Sequence, residues 1–382
     1  MEQHRMKIAI VGPAHPYRGG LASIMESMAR EFQRRGHEVD IFTFTLQYPS
    51  LLFPGKSQTV TTPPPADLKI SRELSTVNPL SWWRLGCKLR KENYDIVLMK
   101  YWTPFMAPCF GTVARLARSN GHTKVVCQID NVEPHEHHII DKPCNSYFLG
   151  SVDGYIYMSE QVHGELRAYS TAPALFSPHP LFDNFGERVP REDACRELDL
   201  DTKQRYALFF GLIRDYKGLD TLLDAWSIFR REGYKLIIAG EFYTAREPYI
   251  EQIKRLGLED DVILHDIFVP DNRVKYYFSA ADCVVLPYKT ATQSGVTQIC
   301  YNFCTPVIVT NVGGLAEIVP NGRVGYVCEP SVAGVAKALE NIYEDGNLAR
   351  FAEAMKEERK RFTWQSMCDR IEELYTILSD KR

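Results

Sequence analysis

The sequence predicts an α/β protein of two doubly wound, nucleotide-binding-type domains, and three observations carry that expectation. Short apolar runs alternate with segments of helical period, the alternation breaks once and restarts, and 382 residues exceed what one core ordinarily organises.

The first series opens on Ile8, Ala9, Ile10 and Val11 closed by Gly12, which reads as a parallel strand buried on both faces. Gly19 and Gly20 follow. Leu21, Ile24, Met25, Met28, Ala29 and Phe32 then line one face of a helix that Gly36 closes. A second strand starts at Val39, which completes a βαβ unit. Residues 95–99, 124–129 and 154–158 read as further strands, with a helix over 110–119. The turn-rich stretch 177–186, with Pro178, Pro180, Asn184 and Gly186, interrupts the pattern and places a boundary between domains 1–185 and 186–362. Alternation resumes with strands at 206–211, 235–240, 262–264, 283–287 and 307–310, and helices at 219–230, 248–256 and 274–280. From Val332 onward the chain reads as helical, with Leu339, Ile342, Ile371 and Leu374 on apolar faces.

Composition narrows the function classes. A net charge of −3, from 45 Lys and Arg against 48 Asp and Glu, lacks the basic surplus of a nucleic-acid binder. Residues 1–185 carry 19 basic against 17 acidic side chains, so the first half is the more basic and the one expected to face an anionic acceptor or lipid surface. The ten cysteines are scattered, several within apolar runs, which predicts reduced thiols and a cytoplasmic protein. The polar opening stretch and the shortness of every apolar run predict neither a signal peptide nor a spanning helix.

The chemistry concentrates at strand-to-helix junctions. Gly211-Leu212-Ile213-Arg214-Asp215-Tyr216-Lys217-Gly218 joins a strand end to a helix start, where parallel sheets bind ligands and helix N-termini favour anions. Arg214 and Lys217 there are either a clamp for a diphosphate or surface cations on a solvated turn. Ser294-Gly295-Val296 and Gly313-Gly314 are further glycine-bearing junctions whose amides can receive phosphate oxygens. Asp130, after a strand, reads either as a turn-capping residue or as a carboxylate that stabilises a positive transition state or accepts a proton. His135, His137 and His138 have the wrong spacing for a zinc-protease helix, and no metal site is predicted. Trp82, Trp83, Arg84, Lys88, Arg90 and Lys91 make an aromatic and basic stretch, either a helix packed on the core with a solvated basic face or one lying on an anionic bilayer.

Taken in order, these features resemble the large retaining glycosyltransferase group of the GT-B fold, family 4 with its group 1 domain. The resemblance covers nearly the whole chain: Gly19-Gly20, the Gly211 to Gly218 loop, Gly240-Glu241, Tyr277 to Asp282, Pro306 to Thr310, Gly313-Gly314 with Glu317, and Phe362-Thr363-Trp364. It implies two Rossmann-like domains facing across a cleft, and a final helix, 363–382, crossing back onto the first domain. It also implies a nucleotide-diphosphate sugar held by the second domain, a saccharide or lipid-linked acceptor held by the first, and no metal ion or other cofactor. Lys217 matches the family lysine on the diphosphate. The family arginine directly follows the first glycine of the loop, where this chain has Leu212, so Arg214 stands in for it. Gly19 and Gly20 match the loop that approaches the diphosphate and acceptor, and Gly295 and Val296 would lie near phosphates and sugar.

Two departures stand out. The paired glutamates that in the family hold the sugar hydroxyls and the ribose fall on Ala291 and Ile299, or with one inserted residue on Thr290 and Gln298; Gln298 keeps the ability to hydrogen-bond a ribose. Asp130 stands where many relatives carry a histidine facing the reacting sugar. The expected activity is transfer of a sugar with retention, in cell-surface polysaccharide or glycoconjugate synthesis, at the cytoplasmic face of the inner membrane or free in the cytoplasm. The alternatives are a sugar-nucleotide epimerase or phosphorylase of the same plan and a non-catalytic nucleotide-sugar-binding subunit.

Overall fold

The computed structural model describes residues 5–49, 57–133, 139–182 and 184–380. The chain divides into two units, Met1–His179 with Thr363–Arg382, and Pro180–Phe362.

The first unit runs β1 (Lys7–Val11), α1 (Gly20–Arg34), β2 (Glu38–Leu46), β3 (Ile70–Ser75), α2 (Pro79–Glu92), β4 (Ile96–Tyr101), α3 (Ala107–Arg118), β5 (Lys124–Ile129), α4 (Asp141–Leu149), β6 (Gly154–Tyr157), α5 (Glu160–Leu166) and β7 (Ala174–Phe176). Among the described residues its sheet is parallel throughout, in the order β3-β2-β1-β4-β5-β6-β7. The central strands are buried on both faces because helices cover both. Ile24, Met25, Met28, Ala29 and Phe32 of α1 are buried, as the helical period predicts.

The C-terminal helix, Trp364–Asp380, belongs to this unit. Its Leu374 lies so close to Gly154 of β6 that a methyl group there would sit 3.0 Å away. Charges fix its register. Arg35 pairs with Asp369 at 2.7 Å and Glu372 at 2.9 Å, and His37 Nε2 meets Glu372 at 3.2 Å.

The second unit runs α6 (Arg191–Glu197), β8 (Arg205–Phe210), α7 (Leu219–Phe229), β9 (Tyr234–Ala239), α8 (Glu247–Arg255), β10 (Val262–His265), α9 (Asp271–Ala280), β11 (Cys283–Leu286), α10 (Gly295–Phe303), β12 (Val307–Thr310), α11 (Leu315–Ile318), β13 (Gly325–Cys328), α12 (Val332–Ile342) and α13 (Asn347–Glu358). Its parallel sheet has the order β10-β9-β8-β11-β12-β13 among the described residues. Both sheets thus follow the doubly wound order, in which the chain leaves the first strand toward one edge and later restarts beside it toward the other. Trp226, Phe229, Leu222 and Leu223 of α7 bury against Phe209, Leu236 and Ile238 to make one face of the core.

The boundary falls six residues earlier than the sequence suggests. The stretch after Pro180 is already tied to the second unit. Leu181 N–H donates to the Phe362 carbonyl at 3.0 Å, and Phe182 lies against Gly295, where a methyl group would come within 2.8 Å of its ring. The proline-rich composition marks a turn region, but these contacts decide to which side it belongs.

Candidate functional site

In the second unit the strand that opens the series, β8, lies beside β11, and the chain connections leave these two strands in opposite directions. The carboxyl ends of such a pair form the crevice where open α/β sheets bind ligands. Gly211 ends β8 with φ 96°, and residues 215–217 form one tight turn. Gly218, at φ 69°, then starts α7, and a methyl group there would overlap the Pro287 carbonyl beyond β11. Only glycine permits this crossing. The loop is therefore pressed against the neighbouring junction, and Lys217 is carried inward with it.

Lys217 is 9% exposed. Its ammonium lies 5.6 Å from the centre of the Tyr288 ring and 3.4 Å from where a Gly211 methyl would stand. Among the described residues it meets no carboxylate and no hydrogen-bond acceptor. Burial first, and the charge of Arg214 second, push its pKa down from 10.5 to about 7. A fall of that size disfavours the charged form by roughly 5 kcal/mol, which a bound anion would return. Arg214 is exposed, on extended backbone, and its guanidinium lies 5.3 Å from the Tyr243 ring centre. It too has no carboxylate partner among the described residues. The loop thus presents, at the start of a helix, two basic side chains that no carboxylate contacts among the described residues; its own Asp215 accepts from Thr244 and Tyr249 instead.

The α10 junction is brought to the same place but is built differently from the sequence reading. Val296 Cγ2 lies 3.6 Å from the position of a Gly211 methyl, so Gly211, Lys217 and Val296 share one corner. The Val296 amide, expected to receive phosphate, instead donates to Ser294 Oγ at 3.3 Å in a helix cap. Gly295 owes its identity to the Phe182 ring that covers it. Gln298, expected to reach a ribose, is wholly buried, and neither amide atom has a partner among the described residues. Ala291 and Ile299 are buried and Thr290 is exposed, so neither counting of the paired-carboxylate positions places an acid here.

In the first unit, Gly19 caps α1 at φ 96° without a side-chain hydrogen bond, and Gly20 is exposed. Asp130, just past β5, pairs with Lys100 at 2.8 Å. Lys100 is wholly buried in β4 beside Gln128, its register partner in β5, whose Oε1 has no partner among the described residues. Gly12, closing β1, packs on the Lys100 stem, with 3.9 Å between a methyl there and Lys100 Cβ. Sequence reasoning singled out Asp130 and missed Lys100 and Gln128. The available signal was a charge and an amide set inside otherwise apolar strands. His135, His137 and His138 lie outside the described residues; among those described, no group of three potential ligands is placed to hold a metal.

Two consecutive doubly wound units, the second with an uncompensated lysine at its switch point, define a nucleotide-binding α/β class of which the GT-B fold is one member. Residues 18–176 match the family described as Glycosyltransferase Family 4, and residues 190–362 match that described as Glycosyl transferases group 1. The chain belongs to this family of GT-B glycosyltransferases and is a glycosyltransferase by class. A D-inositol 3-phosphate glycosyltransferase of Corynebacterium diphtheriae is 25% identical, over 94% of this chain and 89% of its own. Sucrose-phosphate synthase of Thermosynechococcus elongatus has the same fold at a TM-score of 0.76, with 19% identity over 99% of this chain and 100% of its own. Anabaena HepE, solved in complex with UDP and glucose, superposes at a TM-score of 0.74, with 17% identity over 97% of this chain and 100% of its own.

Proposed function

We propose that the second unit binds a nucleotide-diphosphate sugar at the carboxyl ends of β8 and β11, and that the enzyme transfers the sugar, with retention, to a saccharide or lipid-linked acceptor held by the first unit. The observation that carries this reading is the buried ammonium of Lys217, which has no partner among the described residues. A group held so far from its preferred charge state is matched to an anion that arrives with the substrate.

In this reading Lys217 and Arg214 flank the diphosphate, with the N-terminus of α7 adding a partial positive charge. Charge builds on the leaving diphosphate as the anomeric bond breaks, and two preplaced cations stabilise it more than they stabilise the ground state. They take the role a metal ion would otherwise fill. Asp130, kept in place by Lys100, is the carboxylate offered to the positive sugar in the transition state or to the acceptor hydroxyl. With no carboxylate at positions 290, 291, 298 and 299, donor sugar recognition rests on other groups than in relatives with the acidic pair. The biosynthetic role that suits such a reaction is assembly of a cell-surface polysaccharide or glycoconjugate.

The test is a calorimetric titration with UDP, GDP and ADP. At least one should bind and raise the melting temperature, and Lys217→Met should remove that response while the protein stays folded. Equal binding by Lys217→Met, or no binding of any nucleoside diphosphate, overturns the reading.

A further inference from the structure

The face of α2 that points away from the core is unlike the rest of the surface. Asn78 caps the helix by accepting from the Leu80 amide at 3.1 Å, which places Leu80 in the first turn. Leu80, Trp83, Arg84, Cys87 and Lys91 then recur at spacings of three and four residues, so they form one stripe. Leu80 is 49% and Trp83 57% exposed, and Val77, just before the helix, is 50% exposed. The neighbouring Trp82 is turned inward instead, and its indole N–H donates to the Ser75 carbonyl at 2.5 Å.

Among the described residues, the charges on this face that have no ion-pair partner are all basic. Residues 77–91 contain no Asp or Glu. Arg84 and Lys91 are exposed with no carboxylate partner among the described residues. Lys88 is held by Glu73 at 2.6 Å, and the nearby Glu92 is engaged by Lys7 at 3.2 Å and Tyr94 at 3.0 Å. Between these side chains lies a hollow of about 500 Å³ lined by Trp83, Arg84, Cys87, Lys88, Lys91 and Glu92. An exposed indole and leucine at one end of a stripe, with free cations along the rest, suit a surface that is apolar just beneath an anionic layer. Because α2 follows β3, its apolar end stands at the carboxyl edge of the sheet, the edge at which α/β domains bind ligands.

We propose that this face of α2 docks the protein on the surface of an anionic phospholipid bilayer, with Trp83, Leu80 and Val77 entering the interface and Arg84 and Lys91 meeting lipid phosphates. The contact is peripheral, since no helix among the described residues is long and apolar enough to cross a membrane. It is independent of the donor chemistry and is tested without substrate.

The full chain is sedimented with vesicles of phosphatidylcholine and with vesicles containing about one-third phosphatidylglycerol, at low and at physiological salt. Binding should favour the anionic vesicles more than tenfold and weaken with salt, since each basic side chain near such a surface contributes about a fivefold gain. Arg84→Glu with Lys91→Glu should abolish the preference. Trp83→Ala should weaken binding to anionic vesicles, and the emission difference between wild type and Trp83→Phe should shift to the blue on binding. All three positions are exposed, so melting temperature and nucleoside-diphosphate binding should stay unchanged and serve as controls. Equal partition onto the two vesicle types, or a charge-reversed variant that binds as wild type does, overturns the proposal. So does dimerisation through Trp83 without vesicle binding, which would make the face a contact between copies.

Discussion

Lys100 in the first unit and Lys217 in the second are both buried at the carboxyl end of a parallel sheet, yet only Lys100 meets a carboxylate. Lys100 rises from β4 and is balanced by Asp130 from the end of the adjacent β5, so its charge is satisfied inside its own unit. Lys217 is carried inward by a loop whose own acid, Asp215, is held by Thr244 and Tyr249, and its pKa falls to about 7. A balanced buried cation can hold a neighbour in place, whereas an unbalanced one favours the arrival of an anion, as the proposed function requires.

The largest expected effect breaks that asymmetry from the second unit. Lys217→Met should lower transfer by about two to three orders of magnitude, the scale of losing one preorganised electrostatic contact to a transition state. Its ligand-free stability at pH 7 should not fall, because the change removes a buried charge that has no partner. A chemical denaturation curve beside the activity assay separates the two readouts. The converse holds for the first unit. Lys100→Met should destabilise by about 3 kcal/mol, since it strands the Asp130 carboxylate, and Lys100→Met with Asp130→Leu should recover much of that loss. Additive single-variant effects in urea titrations would show that the pair is not coupled.

The pH dependence sharpens the contrast. Lys217 has its folded pKa near 7 and its unfolded value near 10.5, so between these limits the unfolded chain binds more protons. Ligand-free stability attributable to Lys217 should therefore rise with pH from 7 to 10, by at most about 1.4 kcal/mol per unit, and Lys217→Met should lack that rise. Nucleoside-diphosphate affinity should move the opposite way and fall by up to about tenfold per unit above pH 7, because the anion selects the protonated lysine.

The smallest effect is a control within the second unit. Cys304, two residues before Pro306, ends α10 in the left-handed region at φ 49°. Cys304→Gly should stabilise by about 1 kcal/mol by relieving that strain, and calorimetric affinity for nucleotide should not change. A change in affinity would link the end of α10 to the Lys217 corner.

Much of this was legible before any coordinates. The strands β1, β4, β5, β8, β9, β11 and β12 are continuous apolar runs because both faces of a parallel sheet are covered. The strands that escaped notice, β3, β7 and β13, lie at sheet edges, where one side is unpaired and polar or short sequences suffice. The short helices α4, α5, α6 and α11 carry too few turns for a periodic signal. Among site residues, the Arg214 and Lys217 loop stood out because glycines and cations at a strand-to-helix junction have a physical meaning in any doubly wound sheet. The Ser294 cap over Val296, the burial of Gln298 and the Phe182 contact with Gly295 had no such local mark.

The two doubly wound series, the glycine-bounded loop that carries Arg214 and Lys217, and the lack of the paired acids can all be read from residue type and order along the chain. Which lysine is balanced depends on contacts made in the folded chain. Lys100 and Asp130 are thirty residues apart and meet because parallel strands β4 and β5 lie side by side. Lys217 meets no carboxylate among the described residues because Gly218 lets the loop press against Pro287, which takes the ammonium out of water without bringing it to an acid. Charge state follows from neighbours in space, and those neighbours come from strands and loops far apart in the chain.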